Sequence, residues 1–170
     1  KLPINTGGIL IWEGQSRGQG YSGDFISTFL TNQGIDNIYT NTFPVSLVGY
    51  EAIFLSFGSI GSNYDATPLN DWMASDIVDY LKSGGKLYIE GMDILGFDQM
   101  HNKEFLSLLG IDSTADGSDK SYSIDSLFGQ SGSICEGLTF WKANVGGFQS
   151  IDNIFPDNNG KVALFEKHYG

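Results

Sequence analysis

The chain has 170 residues, of which 41% are hydrophobic and 14% aromatic, so it is long enough to bury the core of one globular domain. It carries 20 aspartates and glutamates against 9 lysines and arginines, and this net charge of -11 argues against nucleic acid or an anionic membrane surface as the main partner. The single cysteine, Cys135, excludes an internal disulfide and a multi-cysteine metal site, and no apolar run reaches the roughly 20 residues of a membrane span.

The amino terminus and the choice of polar residues bear on where the protein works. The first three residues, Lys-Leu-Pro, are neither a start methionine nor a signal peptide, so we expect a piece of a longer protein or a trimmed chain. The polar residues are mostly Asn, Ser, Thr, Gly and Asp, which is typical of bacterial extracellular modules. We therefore expect a single domain over residues 1–170, extracellular or on the cell surface, that belongs to a larger exported polypeptide.

The first two predicted elements are a strand and a helix. Ile9–Glu13 is a continuous apolar run that ends in a carboxylate, the pattern of a strand buried on both faces in a parallel sheet. Residues 22–33 predict a helix that Gly34 ends. Its apolar residues recur at helical spacing and predict one buried stripe, formed by Phe25, Ile26, Phe29 and Leu30.

The next segments continue this alternation of strand and helix. Thr67 and Pro68 predict the N-cap and the first residue of a second helix, which Gly84 and Gly85 end. The other predicted elements are strands over 37–42, 52–57 and 86–90 and a third helix over 102–109. This alternation through short glycine breaks predicts an α/β fold: a three-layer, doubly wound, mostly parallel sheet of the flavodoxin-like kind.

The pattern changes after residue 111. Ser, Asp and Gly dominate residues 112–133, which predicts an irregular insertion. Only short apolar pieces follow, at 138–141 and 162–165, and the Pro-Asp-Asn-Asn-Gly sequence at 156–160 is a turn before the second of them. We expect this third of the chain to add edge strands and not to form a second domain.

Candidate binding residues follow from the topology, because ligands of an open parallel sheet bind outside the carboxyl ends of its strands. The polar residues predicted at this rim are Glu13, Arg17, Ser56, Ser59, Glu90 and Asp93. Two or three carboxylates that converge there could bind a metal ion or act as general acid and base. The competing interpretation is that they are solvated strand ends or caps of neighbouring helices.

Motifs with known chemistry are incomplete in this sequence. The Gly-Ser-Ile-Gly sequence at 58–61 is one residue short of a nucleophile elbow, and a tight loop with positive φ is the simpler interpretation. Residues 15–20 lie between a strand and a helix but fit neither the P-loop nor the dinucleotide-binding pattern. Arg17 could hold an anion there, although a rim loop is the simpler interpretation.

The remaining reactive residues have no partner at ligand spacing. His101 and His168 are the only imidazoles, and no motif supports a Cys135–His168 dyad. The Asp-rich sequences at 116–119 and 157–160 lack the closing glutamate of a twelve-residue calcium loop, so turns explain them better. We expect no metal ion and no cofactor.

Three stretches resemble the class I glutamine amidotransferase-like superfamily. They are YEAIFLSFGS, LNDWMASDIVDYLKSGGKLYIEGMDI and EFLSLLGI, and the similar region covers about residues 8–111. The tail from GLTFW to VALFEKHYG is only loosely similar. The chain is more closely similar to non-enzymatic modules of this fold in large secreted bacterial proteins, which implies an accessory domain or pseudoenzyme.

The resemblance also implies where an active member carries its nucleophile. In such enzymes the strand after the GG helix end leads into Gly-x-Cys-x-Gly, and the cysteine falls at Gly91 or Met92 of this chain. Neither residue can attack an amide carbonyl. The loop at Gly58 and Ser59 matches the one that supplies oxyanion-hole amides. The late His-x-Glu pair is unmatched, because the sequence at 166–168 runs in the reverse order.

Three functions are compatible with these observations. The leading hypothesis is a non-catalytic structural or partner-binding module, whose partner is another domain of the same polypeptide, a second protein or a glycan, without membrane insertion. The alternative is a hydrolase or a carbohydrate- or metal-binding module that uses Glu13, Glu90 and Asp93. A flavin-binding electron carrier fits the topology, but residues 15–20 offer only Ser16 as a phosphate-binding hydroxyl.

Overall fold

The computed structural model describes residues 7–14, 22–58, 67–116, 126–141 and 152–165, and its centre is a four-stranded parallel sheet. The strands lie in the order β2-β1-β3-β4, and all three pairings are parallel. Their bounds are Ile9–Glu13 for β1, Asn37–Thr40 for β2, Ala52–Ser56 for β3 and Lys86–Glu90 for β4. The predicted α/β class with a parallel sheet is confirmed.

The described residues contain three α-helices, α1 Ser22–Asn32, α2 Asp71–Lys82 and α3 Lys103–Leu108, and a short π-helix at Ile94–Asp98 between β4 and α3. The predicted N-cap of α2 at Thr67 is wrong. Asn70 caps the helix by accepting a hydrogen bond from the Met73 N–H at 3.2 Å, whereas the Thr67 hydroxyl donates to the Gly14 carbonyl at 2.6 Å. Within the described ranges, no helix combines the length and the apolar composition of a membrane span.

The core lies between α2, α3 and one face of the sheet. Alternate residues of β1 and β3 point into it, as the period of a strand requires. Its fully buried members include Leu10, Ile53, Leu55, Ala74, Ile77, Phe105 and Leu106. This continuous cluster fixes α2 against the sheet and so fixes where β4 begins.

Helix α1 contacts β1, β2 and β3, and it turns a different side to the sheet from the one predicted. Gly23 is buried, and the Ser27 hydroxyl donates to Asn37 of β2 at 2.7 Å. Phe25 and Phe29 are 64% and 63% exposed, so the predicted buried stripe is wrong for both. Small residues at 23 and 27 let the helix backbone approach the sheet closely, and the phenylalanines then lie on its outer side.

The last third of the chain forms two small antiparallel sheets. Within the described residues, one sheet pairs β5 with β8 and the other has the order β7-β6-β9, so these strands do not add edges to the parallel sheet. Their bounds are β5 Ile111–Ala115, β6 Ser126–Gly129, β7 Thr139–Trp141, β8 Asn153–Pro156 and β9 Leu164–Phe165. The prediction of irregular structure over 112–133 is wrong at β5 and β6.

Candidate functional site

The carboxyl ends of β1, β3 and β4 bring three polar side chains into one row. Glu13 is paired with Ser56 across β1 and β3, and Ser56 is paired with Glu90 across β3 and β4. Paired residues of neighbouring strands point to the same face, so the three side chains lie side by side. We call Glu13, Ser56 and Glu90 the strand-end row. The structure thus gathers three of the six residues predicted at the rim.

Glu13 is a buried carboxyl group with only 1% of its surface exposed. Its Oε2 accepts a hydrogen bond from the Gly23 N–H at 2.8 Å. A Cβ at position 23 would lie 2.5 Å from this oxygen, so glycine is what lets α1 approach so closely. The second oxygen, Oε1, is buried and has no hydrogen-bond partner within the described part of the chain. One of the two carboxyl oxygens of Glu13 therefore accepts a hydrogen bond and the other does not.

Ser22, the first residue of α1, connects two members of the strand-end row, Ser56 and Glu90. Its hydroxyl donates to Oε1 of Glu90, and its Oγ lies 3.0 Å from Oγ of Ser56, which must then be the donor of that second bond. The hydroxyl of Tyr88 donates to Oε2 of Glu90 at 2.7 Å. Each oxygen of Glu90 thus accepts one hydrogen bond within the chain, and the first turn of α1 is bonded to β3 and β4.

Sequence reasoning missed Ser22 and Tyr88 as members of this site. Tyr88 carried a usable signal, because a residue two positions before Glu90 in a strand lies on the same face. Burial, the hydrogen bond to Glu90 and the charge of Glu90 together raise the pKa of Tyr88 to about 12. Tyr88 therefore stays protonated and donates to Glu90 across the physiological pH range.

Burial raises the pKa of Glu13 above its ordinary value of 4.5. The hydrogen bond from the Gly23 N–H opposes this rise, and the charges of Glu90 and Asp24 add to it. A buried carboxyl group with a raised pKa at a strand end has the properties of a general acid, and it also has those of a structural buried glutamate.

We expect Glu13→Gln to stabilise the fold increasingly as the pH rises. The raised pKa means that the folded state holds the Glu13 proton more tightly than the unfolded state, so this stability is present below about pH 4.5 and is lost as the pH rises through the folded pKa. Glutamine can still accept the Gly23 hydrogen bond and cannot ionise. Urea unfolding at about pH 4.5 and about pH 8 measures the difference.

Asp36→Asn is the matched control, because Asp36 is exposed, makes no hydrogen bond or ion pair within the described residues, and its loss changes the net charge equally. If both variants gain the same stability between the two pH values, the effect belongs to net charge and not to the buried carboxyl group.

Asp93 lies in a second group of carboxylates. Oxygens of Asp93, Asp116 and Asp152 lie within 4.8 Å of one another, and Asp152 also accepts a hydrogen bond from the Gly96 N–H at 2.8 Å. Burial and the charge of Asp116 raise the pKa of Asp93; burial, followed by neighbouring carboxylates, also raises that of Asp152. Three carboxylates at this spacing could hold a hard cation such as Ca²⁺. Sequence reasoning had no signal for Asp152, which precedes β8.

Gly91, the first of the two positions expected for a nucleophile, has no room for a side chain. A Cβ at Gly91 would lie 2.7 Å from Cβ of Phe57 and 3.2 Å from a methyl carbon of Ile94. The next amide, the Met92 N–H, donates to the Gly58 carbonyl at 3.1 Å. Gly58 itself has φ +83°, which is the positive φ predicted at this glycine, while residues 59–61 of the predicted tight loop lie outside the described residues. Neither space for a side chain at 91 nor an unbonded amide at 92 is present.

The other predicted residues lie apart from this row. His101 is exposed just before α3, and Cys135 is half-buried in the loop between β6 and β7. Three candidate residues and one loop lie outside the described residues: Arg17 with the rest of 15–20, Ser59, Asp119 and His168.

Comparisons with known proteins give no relative from which function could be inferred. No protein-family model matches the chain, and neither a curated protein nor a solved structure matches it.

Proposed function

We propose that the chain is a non-catalytic structural or partner-binding module of a larger exported protein, of the class I glutamine amidotransferase-like type. The observation that carries this proposal is the position of Gly91. Catalytic members of that superfamily need a nucleophile at Gly91 or Met92, and a side chain at 91 would meet the fully buried Phe57 at 2.7 Å.

The fold component of the proposal is a three-layer, doubly wound, flavodoxin-like arrangement. It is supported by the parallel strand order β2-β1-β3-β4. It is also supported by the helix positions: α1 lies beside Glu13, whereas α2 packs in the same cluster as Leu10 and Ile53. Successive residues of a strand point to opposite faces, so Glu13 lies on one face of the sheet and Leu10 and Ile53 lie on the other. Helices on both faces are the usual way in which a parallel sheet buries its side chains.

The bonding of the carboxylates supports a structural role over a catalytic one. Glu13 is buried and bonded to the start of α1, and Glu90 has both oxygens bonded within the chain. A general acid or base must instead reach a proton of the substrate. These groups fasten α1 to the sheet, and their positions leave the outer surface to make contacts.

Exposed aromatic side chains support partner binding. Within the described residues, several large rings that folding could have buried are more than half exposed: Phe25, Phe29, Trp72, Phe97 and Trp141. Aromatic residues are enriched at protein interfaces relative to other surface. They would provide the contacts to a neighbouring domain, a second protein or a glycan.

Release of ammonia from glutamine and from short peptide amides tests the proposal. We expect the wild-type chain to release no more ammonia than buffer, and Glu90→Gln to behave identically. Glu104→Gln, the exposed glutamate on α3, is the matched control. A wild-type rate above background that Glu90→Gln abolishes and Glu104→Gln retains would overturn the proposal.

One observation favours a second function, a hydrolase or a carbohydrate-binding module that uses rim carboxylates. Glu13 and Glu90 lie in the same row, and burial raises the pKa of Glu13 as a general acid requires. Asp93 lies with Asp116 and Asp152 instead, so this function would use the pair without Asp93. Oligosaccharide binding or hydrolysis that Glu13→Gln abolishes and Asp93→Asn retains would support it over the first proposal.

A further inference from the structure

Strand β4 forms one edge of the parallel sheet, and its outer side is open within the described residues. It pairs with β3 alone. The Glu90 carbonyl accepts a hydrogen bond from the Phe57 N–H at 2.9 Å, so the main-chain groups of Glu90, and of every second residue before it, point towards β3. The N–H and C=O groups of Leu87 and Ile89 therefore point outwards, where no described residue accepts or donates to them.

This edge has few of the features that normally prevent strands from pairing between molecules. Proteins protect edge strands with charged side chains, lysine above all, with proline or bulges, or by covering them. The charges of β4 lie only at its two ends, at Lys86 and Glu90. The five residues of β4 contain no proline, and their register with β3 is regular throughout. Tyr88, at the centre of the strand, is 45% exposed. The edge is thus a template for a further strand.

The sequence of β4, Lys86-Leu-Tyr-Ile-Glu90, is complementary to itself in the antiparallel direction. When two copies pair with Tyr88 at the centre, Lys86 of each copy lies opposite Glu90 of the other. Within one copy the Lys86 ammonium lies 3.7 Å from Glu51, an exposed pair, and the Glu90 oxygens accept from Ser22 and Tyr88, but each carboxylate oxygen can accept a second hydrogen bond. Leu87 then lies opposite Ile89, so the residues with outward main-chain groups form the hydrogen-bonded pairs. The two Tyr88 residues form the closer, non-hydrogen-bonded pair.

Aromatic side chains would also meet where the two β4 strands pair. The Tyr88 ring lies 5.6 Å from the ring of Phe54 on β3, measured between centroids. Pairing at Tyr88 would join the two sets of rings into one row across both copies, and cross-strand aromatic pairs stabilise sheets.

We propose that two copies of this chain associate by antiparallel pairing of their β4 edges, centred on Tyr88, so that the two four-stranded sheets become continuous. The charge pattern is what selects a second copy as the partner. The opposite edge strand, β2, has the sequence Asn-Ile-Tyr-Thr and no charged residue to provide such a match. The proposal is independent of whether the module is catalytic.

The net charge predicts how this association responds to salt. Two chains of charge -11 repel each other at long range, whereas the Lys86–Glu90 contacts act at short range. Salt near 0.15 M screens interactions beyond about 8 Å. We therefore expect association to strengthen from low salt to this concentration.

Cysteine cross-linking tests the register. In a Cys135→Ser background, Tyr88→Cys should form a disulfide-linked dimer under mild oxidation, because a central non-hydrogen-bonded pair brings the two Cα atoms to about 4.5 Å, a separation that a disulfide can span. Tyr39→Cys, on the opposite edge strand and 44% exposed, is the control: it keeps the β4 edge but should form no disulfide-linked dimer. Equal cross-linking of the two variants, or none at Tyr88→Cys, would overturn the proposal.

Sedimentation equilibrium tests the association without cysteine substitutions. The wild-type mass should rise with concentration from 18.5 kDa towards twice that value. Lys86→Glu sets carboxylates opposite each other and should weaken association by about tenfold or more, whereas Lys103→Glu makes the same charge change on α3 and should not. A wild-type mass that stays at 18.5 kDa, or equal weakening by both variants, would contradict the pairing.

Discussion

Tyr80→Ala is expected to lower the free energy of unfolding by about 3–5 kcal/mol, because it removes a large ring from a fully packed core. Tyr80 lies on α2 and is 1% exposed. Its hydroxyl oxygen accepts a hydrogen bond from the Lys86 N–H at 3.2 Å and lies 3.2 Å from the Tyr50 carbonyl, to which it can donate. One side chain thus joins α2, the start of β4 and the loop before β3.

Tyr80→Phe separates the ring from its hydroxyl. This variant keeps the packing and leaves the Lys86 N–H without its partner, so we expect a loss of only about 1–2 kcal/mol. Urea unfolding of the three proteins measures both values. Equal losses for the two variants would show that the hydroxyl, and not the buried ring, holds the start of β4.

Gly91→Ala is expected to lower the free energy of unfolding by about 2–3 kcal/mol, the upper part of the range for an overpacked core. The added carbon would lie 2.7 Å from Cβ of Phe57 and 3.5 Å from its Cα. Phe57 is fully buried and cannot move aside without disturbing its own contacts. A cysteine at 91 adds a larger atom at the same place and should cost more.

Gly132→Ala is the control for Gly91→Ala. Gly132 has φ +79°, and a Cβ there meets no atom within 4 Å, so alanine incurs only the cost of a left-handed backbone, about 1 kcal/mol. Thermal or urea unfolding compares the two variants. A Gly91→Ala protein as stable as wild type would mean that a side chain fits at 91, and the main support for a non-catalytic module would be lost.

The parallel sheet could be predicted from the sequence because β1 and β3 are short, continuous runs of apolar residues, the pattern of strands buried on both faces. β1 and β4 have the bounds expected from those runs, and the positions of Glu13, Ser56 and Glu90 followed from the rule that parallel strands end at one edge. That rule gives the edge on which residues meet. It does not give the hydrogen bonds that they make.

Features that depend on contacts distant in sequence could not be predicted. The rotation of α1 is set by how closely Gly23 approaches Glu13, and hydrophobic periodicity alone placed Phe25 and Phe29 on the wrong side. β5 has the polar sequence Ile-Asp-Ser-Thr-Ala, which becomes a strand through pairing with β8 far along the chain. Asp93 is likewise separated from the strand-end row by the left-handed turn at its own backbone, where φ is 64°.

The role of the strand-end carboxylates can be decided by a double-mutant cycle. Ser22→Ala and Glu90→Ala, alone and combined, are compared by urea unfolding at neutral pH, which isolates the interaction that ties α1 to β4. If these groups serve the fold, the coupling free energy should be about 1 kcal/mol or more, as for a partly buried hydrogen bond to a carboxylate. A coupling energy near zero, with either single variant as stable as wild type, would contradict a structural role.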